Sequence, residues 1–199
     1  MRRSVGRVVL LVAFGMCAAG AASAQLTKAV ESPSPRQGFW FSIGAAAGSV
    51  GMDCSGCGTN RENGPSGTLR LGGTLSPHWL LGGEIDGWGK SKNGLDMTFA
   101  SAVIVASWYP SRTGGFFLKL GFGGLSYTED DGTDKTEATG AAGLFGLGFD
   151  IPLGRTFALT PYINSIASSN AKVKINGQSV PLVSINPNLV QFGVALSWY

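Results

Sequence analysis

Charge is scarce in this sequence. Of 199 residues, 15 are Lys or Arg and 12 are Asp or Glu, 14% in all, while 44% are hydrophobic. Disordered chains show the opposite balance, so a packed fold is expected. There is one histidine, His78, which leaves base-assisted nucleophilic catalysis a single imidazole to work with. There are three cysteines, and one of them, Cys17, lies in the leader described below. Beyond the N-terminus there is no long apolar run. Glycine or lysine interrupts every apolar stretch within about ten residues, short of the ~20 that a membrane-spanning helix needs.

Glycine is abundant instead. Thirty-one glycines in 199 residues is about 16%, against a usual ~7%. Each costs a helix interior about 1 kcal/mol relative to alanine, which argues against a helical bundle. No Gly-X-Y period is present, which excludes collagen. A β-rich chain with close backbone approaches is what remains.

Residues 1–24 read as a secretory leader. Arg2, Arg3 and Arg7 form a basic start, Val8 to Ala22 an apolar middle, and Ala22-Ser23-Ala24 a small-residue cleavage site. Residues 25–37, with Ser32, Pro33, Ser34, Pro35 and Arg36, form a polar linker. The leader holds three arginines and no acid, so the remaining chain carries 12 charges of each sign. It has no basic stripe, and no nucleic-acid partner is expected. Cys54 and Cys57 stand in Cys-Ser-Gly-Cys-Gly. In an exported protein the first expectation is a local disulfide. A redox pair or half a metal site are the other readings of a CxxC, but no second pair exists and His78 lies in a different turn.

Residues 38–199 alternate with period two. Phe39, Phe41 and Ile43 begin the first run. Leu69, Leu71 and Leu75 follow, then Trp79, Leu81 and Ile85, then Met97, Phe99, Val103 and Val105. Phe116, Leu118, Leu120 and Phe122 come next, then Phe145, Leu147 and Phe149, then Phe157, Leu159 and Ile163. Val190, Phe192, Val194, Leu196 and Trp198 close the series. Eight strands of roughly ten residues are predicted. The connections at Ser76-Pro77-His78, Pro110 to Gly114 and Pro152 to Arg155 are short. The stretches Cys54 to Pro65, Thr128 to Thr136 and Ser168 to Pro187 read as longer polar loops, with Lys90 to Asn93 a short exception. Short turns at one end and long loops at the other suit an up-and-down transmembrane β-barrel.

A soluble lipocalin-like barrel has the same alternation with its apolar side inward. Charge separates the two. A wet outer surface should be rich in Lys, Glu and Asp, yet the polar parity here is mostly Gly, Ala, Thr and Ser. Those small residues suit the crowded interior of an eight-stranded barrel. The apolar parity then faces lipid. Phe39, Trp40, Trp79, Trp88, Trp108, Tyr109, Phe116, Tyr127, Phe157, Trp198 and Tyr199 lie near strand ends and are expected to form two interfacial girdles. The few charges on the inward parity are Arg70, Glu84, Asp86, Lys119 and Asp150; the first four are expected to form an interior cluster centred on an Arg70–Glu84 ion pair that plugs the barrel, with a polar gate the sharper alternative.

The runs Phe116 to Gly123 (FFLKLGFG) and Gly146 to Gly154 (GLGFDIPLG), Leu159-Thr160-Pro161-Tyr162 and the aromatic end Ser197-Trp198-Tyr199 resemble small bacterial outer-membrane β-barrels of the OmpA-like and OmpX-like group. The resemblance implies an all-β, eight-stranded antiparallel barrel in outer-membrane lipids, with a terminal aromatic signal for the barrel-insertion machinery. Here the alternation ends on Trp198, one residue before the last. The expected role is structural or loop-mediated binding of an extracellular ligand, by a monomer without cofactor, metal or catalytic residues. The candidate surfaces are the Cys54–Cys57 loop, the acidic stretch Glu129, Asp130, Asp131 and Asp134, and Ser168 to Pro187. The acidic stretch has oxygen ligands but lacks full EF-hand spacing, so a solvated loop is expected. A narrow ion or solute channel is the alternative, since eight strands leave little lumen. An outer-membrane lipid-modifying enzyme is a further one. The lipid A deacylases and acyltransferases use a histidine at the outward side, whereas His78 falls in a turn on the periplasmic side, and no G-x-S-x-G occurs.

Overall fold

The structure is a computed structural model that describes residues 36–53 and 61–199. Residues 1–24, residues 25–35 of the linker and the Cys54–Cys57 pair lie outside the described residues. Eight long strands follow one another: β1 Phe39–Asp53, β2 Arg61–Ser76, β3 Trp79–Lys92, β4 Leu95–Trp108, β5 Phe116–Asp130, β6 Lys135–Phe149, β7 Phe157–Ile175 and β8 Gln178–Trp198. Ile151–Pro152 adds a two-residue ladder beside the start of β7. Each strand pairs antiparallel with the next, and β8 pairs with β1. The sheet closes on itself and leaves no edge, the condition for a sheet to span lipid.

The alternation read from the sequence is the alternation of inside and outside. Phe39, Ile43, Leu71, Ile85, Leu120, Phe122, Phe145 and Phe192 are exposed on the outer wall, whereas Ser42, Arg70, Glu84, Lys119, Asn164 and Gln191 are buried. β4 is the exception. Met97, Phe99, Val103 and Val105 point into the barrel, not outward as expected, and Ala100, Ala102, Ile104 and Trp108 face out. Ser101 and Ser107 share the inward parity. The interior at this height is an apolar plug that needs the bulk of Phe99 and its neighbours, and alanine is apolar enough for the lipid side.

The connections also depart from expectation. Ser168 to Pro187 is not a loop: β7 and β8 run on through it and turn at Asn176-Gly177. Thr128 to Thr136 shrinks to the four residues between Asp130 and Lys135, and β2 already begins at Arg61. Asn176 and Gly177 have φ of 50° and 80°, and Asn93 and Gly94 have 55° and 82°. Two successive left-handed residues make the hairpin turn whose twist matches the strands, so the ladder continues to the tip. The extra length therefore lies in the strands.

Among the described residues the girdle is single. Phe39, Trp79, Trp108, Phe116, Phe149, Phe157 and Trp198 stand on the outer wall at the end carrying the β2–β3, β4–β5 and β6–β7 connections, here called the turn end. Trp88 and Tyr127, expected in the opposite girdle, are buried in the lumen, as are Trp40 and Tyr109. They have inward parity, and the Trp88 indole donates to the Gly48 carbonyl across the lumen at 3.2 Å.

Candidate functional site

The lumen and its two mouths hold nearly all the buried polar chemistry. At the turn end, Trp40, Leu80, Tyr109 and Phe117 form an apolar cap, with Tyr199 against it. Arg36 of the linker folds into this mouth. Its guanidinium lies 3.5 Å over the Tyr109 ring, donates to the Gly114 carbonyl at 2.5 Å and stands 3.8 Å from an Asp150 carboxylate oxygen. Asp150 also accepts from the Tyr109 hydroxyl at 2.9 Å, the Tyr199 hydroxyl at 2.5 Å and Thr160 Oγ1 at 2.7 Å. One buried carboxylate thus ties the linker, the β4–β5 connection, the start of β7 and the C-terminal residue. Parity marks Asp150 as an inward charge, but nothing in the sequence pattern assigns it these partners.

Above the cap lies the polar layer that holds the expected cluster. Arg70 and Glu84 are register partners on β2 and β3, yet they form no ion pair within 4 Å. Glu84 pairs with Lys119 from β5, whose Nζ is 2.5 and 2.6 Å from the two carboxylate oxygens. Asn164 and Thr68 donate to the same carboxylate at 3.0 and 3.3 Å. Arg70 leans the other way, donating to Ser42 Oγ at 3.0 Å with its guanidinium 5.6 Å from the Phe117 ring. The reason is space. Lys119 faces Gly146 across the β5–β6 ladder, where a Cβ would stand 2.6 Å from the lysine Cε. The glycine lets the lysine lie flat and cross the narrow lumen. Asp86 is held by neutral donors, Gln191 Nε2 at 2.5 Å and Ser101 Oγ at 3.2 Å, and Gln191 Oε1 accepts from Ser66 Oγ. Three of the four expected residues thus share one layer of contacts about Glu84 and Asp86, and Arg70 belongs to the layer's lower edge. Removing either member of the Lys119–Glu84 pair leaves a buried charge, so the layer closes the lumen firmly but offers no reactive pairing.

The rest of the lumen, toward the other mouth, is apolar. Phe99, Leu144, Ile166, Leu189 and Trp88 pack there with exposures of 0–3%, and the same cluster reaches down through Val103, the register partner of Glu84, to Val105. At the rim, Lys90 Nζ is 2.5 Å from Glu62, and Lys92 Nζ 3.5 Å. These contacts, Lys90's first, hold the Glu62 carboxyl below its ordinary value.

The acidic stretch is assembled at this end, but its carboxylates do not converge. Glu129 accepts from the Tyr127 hydroxyl at 2.6 Å, and Asp130 from the Gly132 amide at 2.8 Å. Asp131 accepts from the Thr133 and Asp134 amides at 2.9 and 2.8 Å, and these bonds, Asp134's first, lower its pKa. Asp134 accepts from Asn176 Nδ2 at 2.8 Å. Each carboxylate is engaged in fixing a turn. Among the described residues no three His, Cys, Asp or Glu side chains gather as a metal site. His78 sits in the β2–β3 turn, its Nδ1 2.7 Å from the Tyr109 carbonyl and its Nε2 3.4 Å from Arg112 Nε.

A closed eight-stranded meander with an apolar outer wall, one aromatic girdle and a filled interior is the build of the small outer-membrane β-barrels. No protein-family model and no curated protein sequence matches the chain, but solved structures do. Neisserial surface protein A superposes with a TM-score of 0.60 at 13% identity, over 80% of this chain and 96% of that one. Ail, the attachment invasion locus protein of Yersinia pestis, gives 0.53 at 12% identity, over 81% and 99%. Ail in complex with the heparin analogue sucrose octasulfate gives 0.50 at 14%, over 81% and 99%. At such identities the likeness is one of fold, that of eight-stranded antiparallel transmembrane barrels.

Proposed function

We propose that this chain is an integral outer-membrane protein that acts by surface binding at its hairpin end, without passing solutes and without catalysis. The observation that carries the reading is the filled lumen. An aromatic cap, a hydrogen-bonded charged layer and an apolar plug follow one another from one mouth to the other, which leaves no continuous polar path for an ion. The turn end faces the periplasm in this reading. The other end lifts long paired strands clear of the membrane and fixes their tips. Ail, which shares the fold, is an attachment and invasion protein solved with a heparin analogue, and that supports surface binding as the role. The expected partners are outer-membrane lipids, the barrel-insertion machinery and an extracellular ligand, with the chain a monomer. The cysteine pair Cys54 and Cys57 is expected to form a local disulfide.

Planar-bilayer recording tests the reading, on protein first shown to be folded by a heat-dependent shift in gel mobility. The expected record is flat. Reproducible unit conductance steps from the folded protein would overturn it in favour of a narrow channel.

A further inference from the structure

Outward-facing charge at the hairpin end is divided between two faces. Over β4–β5 it is acidic, Asp96 and Asp130 being register partners. Over β6–β7 it is basic. Lys135 and Glu137 lie on β6, and Lys172 and Lys174 on β7, with Thr139 opposite Lys172 and Glu137 opposite Lys174. All three lysines are exposed. Lys135 Nζ is 2.7 Å from Glu137. Among the described residues neither Lys172 nor Lys174 has a carboxylate within 4 Å. Three cations thus face Glu137 within the patch, with Asp130 at its β5 edge as the register partner of Lys135; Lys172 and Lys174 carry the unpaired charge.

The height of the patch identifies its surroundings. Along β6 the outward residues rise from the girdle at Phe149 through Leu147, Phe145, Gly143 and Ala141 to Thr139. The ten steps from Phe149 to Thr139 span about 34 Å along the strand. At a tilt of about 40°, that is about 26 Å of membrane normal, the height of the apolar band of an outer-membrane barrel. The Thr139–Lys172 rung therefore stands where hydrocarbon ends, with Lys174 one outward rung higher and Lys135 two. Their parity is outward, so they point sideways into the headgroup layer and not up from the mouth. The support beneath them is fixed. Asn176 accepts from the Lys135 amide at 2.8 Å through its side chain, donates its own amide to the Lys135 carbonyl at 2.8 Å and bonds Asp134. This joins the β5–β6 loop to the β7–β8 turn.

We propose that the outward β6–β7 face, through Lys172, Lys174 and Lys135, docks the phosphate groups of a phosphorylated lipid headgroup in the outer leaflet. The inference rests on the outer-membrane reading. Each lysine held at an anionic lipid surface favours the bound state about fivefold. A soluble polyanion would instead meet the hairpin tips and the mouth first.

The test uses the full protein in phosphatidylcholine vesicles, with and without diphosphoryl lipid A, and reads the midpoint of the heat-dependent gel shift. Lipid A is expected to raise the midpoint by about 4–8 °C. The gain should vanish in Lys172→Gln/Lys174→Gln and in molar salt, and persist in Lys90→Gln/Lys92→Gln, whose lysines lie on the inner face of the rim. An equal midpoint in both vesicles, or a gain untouched by Lys172→Gln/Lys174→Gln, would overturn the proposal. So would an equal gain from soluble sucrose octasulfate in vesicles without lipid A, which would assign the face to a soluble polyanion. A protein that inserts into neither vesicle, seen as no shifted band, would overturn the outer-membrane reading itself.

Discussion

The two halves of this barrel are built on opposite plans. Near the turn end the outer wall is bulky, with Phe116, Leu120, Phe122, Phe145 and Leu147 exposed, and the lumen carries Arg70, Glu84, Lys119 and Asp150. Toward the hairpin end the outer wall thins to Ala45, Ala47, Gly87, Ala100 and Ala141, while the lumen fills with Phe99, Leu144, Ile166 and Leu189. A sheet in lipid gains nothing from hiding apolar groups from its own surroundings, so large side chains can sit on either side of the wall. What decides is the lumen. A wall with bulk outside can take charges within if each finds a partner; a wall with small residues outside must be packed from within. The first half is held by electrostatics and hydrogen bonds, the second by packing.

Substitutions that separate these two kinds of support test the contrast. The largest effect is expected in the polar layer. Lys119→Met leaves the Glu84 carboxylate buried and unpaired, a loss of about 3–5 kcal/mol. Adding Glu84→Leu should recover most of it, and denaturant unfolding in detergent micelles reads both. Next comes the apolar half. Leu144→Ala, at a side chain 3% exposed, should cost about 2–5 kcal/mol. Leu120→Ala, at one 64% exposed to lipid, should cost little by the same assay. Equal losses would mean that the lumen is not the packed side. At the turn-end mouth, Arg36→Ala removes the charged hydrogen bond to the Gly114 carbonyl, worth about 1.5–3 kcal/mol, together with the 3.8 Å ion pair to Asp150. Its effect should be absent in an Asp150→Asn background to the extent that the ion pair supplies it. The smallest effect is a pH dependence at the exposed rim. Glu62 has a carboxyl held below its ordinary value of 4.5 by Lys90 and then Lys92. A lowered carboxyl contributes stability above its unfolded pKa and loses it as pH falls through the folded one. Wild type should therefore lose slightly more stability than Glu62→Gln on acidification below about pH 4.5.

The barrel was legible because alternation in seven of eight runs reports the wall directly. β4 misled because its larger side chains are the inward ones; Ser101 and Ser107 on their parity, and Trp108 on the other, were the contrary signs. The hairpin extensions were also written in the chain. Asn176-Gly177 sits between Val173 and Val180, and Asn93-Gly94 between Lys92 and Leu95, each a turn pair with a known backbone requirement. Polar composition outweighed them. The five luminal charges Arg70, Glu84, Asp86, Lys119 and Asp150 were found by parity alone, but their pairing was not. Which cation reaches Glu84 depends on the void left by Gly146 three strands from β3, a relation that sequence spacing does not encode. The Arg36–Asp150 closure was equally hidden, since it joins a linker residue to a turn 114 positions away.

The most direct measurement is fluorescence quenching by brominated acyl chains in reconstituted vesicles, on two variants that each keep one tryptophan. Trp108 lies on the outer wall at 38% exposure and Trp88 in the lumen at 3%. Strong quenching of the variant that keeps Trp108, with weak quenching of the one that keeps Trp88, is the expected result. Quenching of Trp88 as strong as that of Trp108 would put the hairpin-end interior in contact with lipid and contradict the filled lumen on which the proposed function stands.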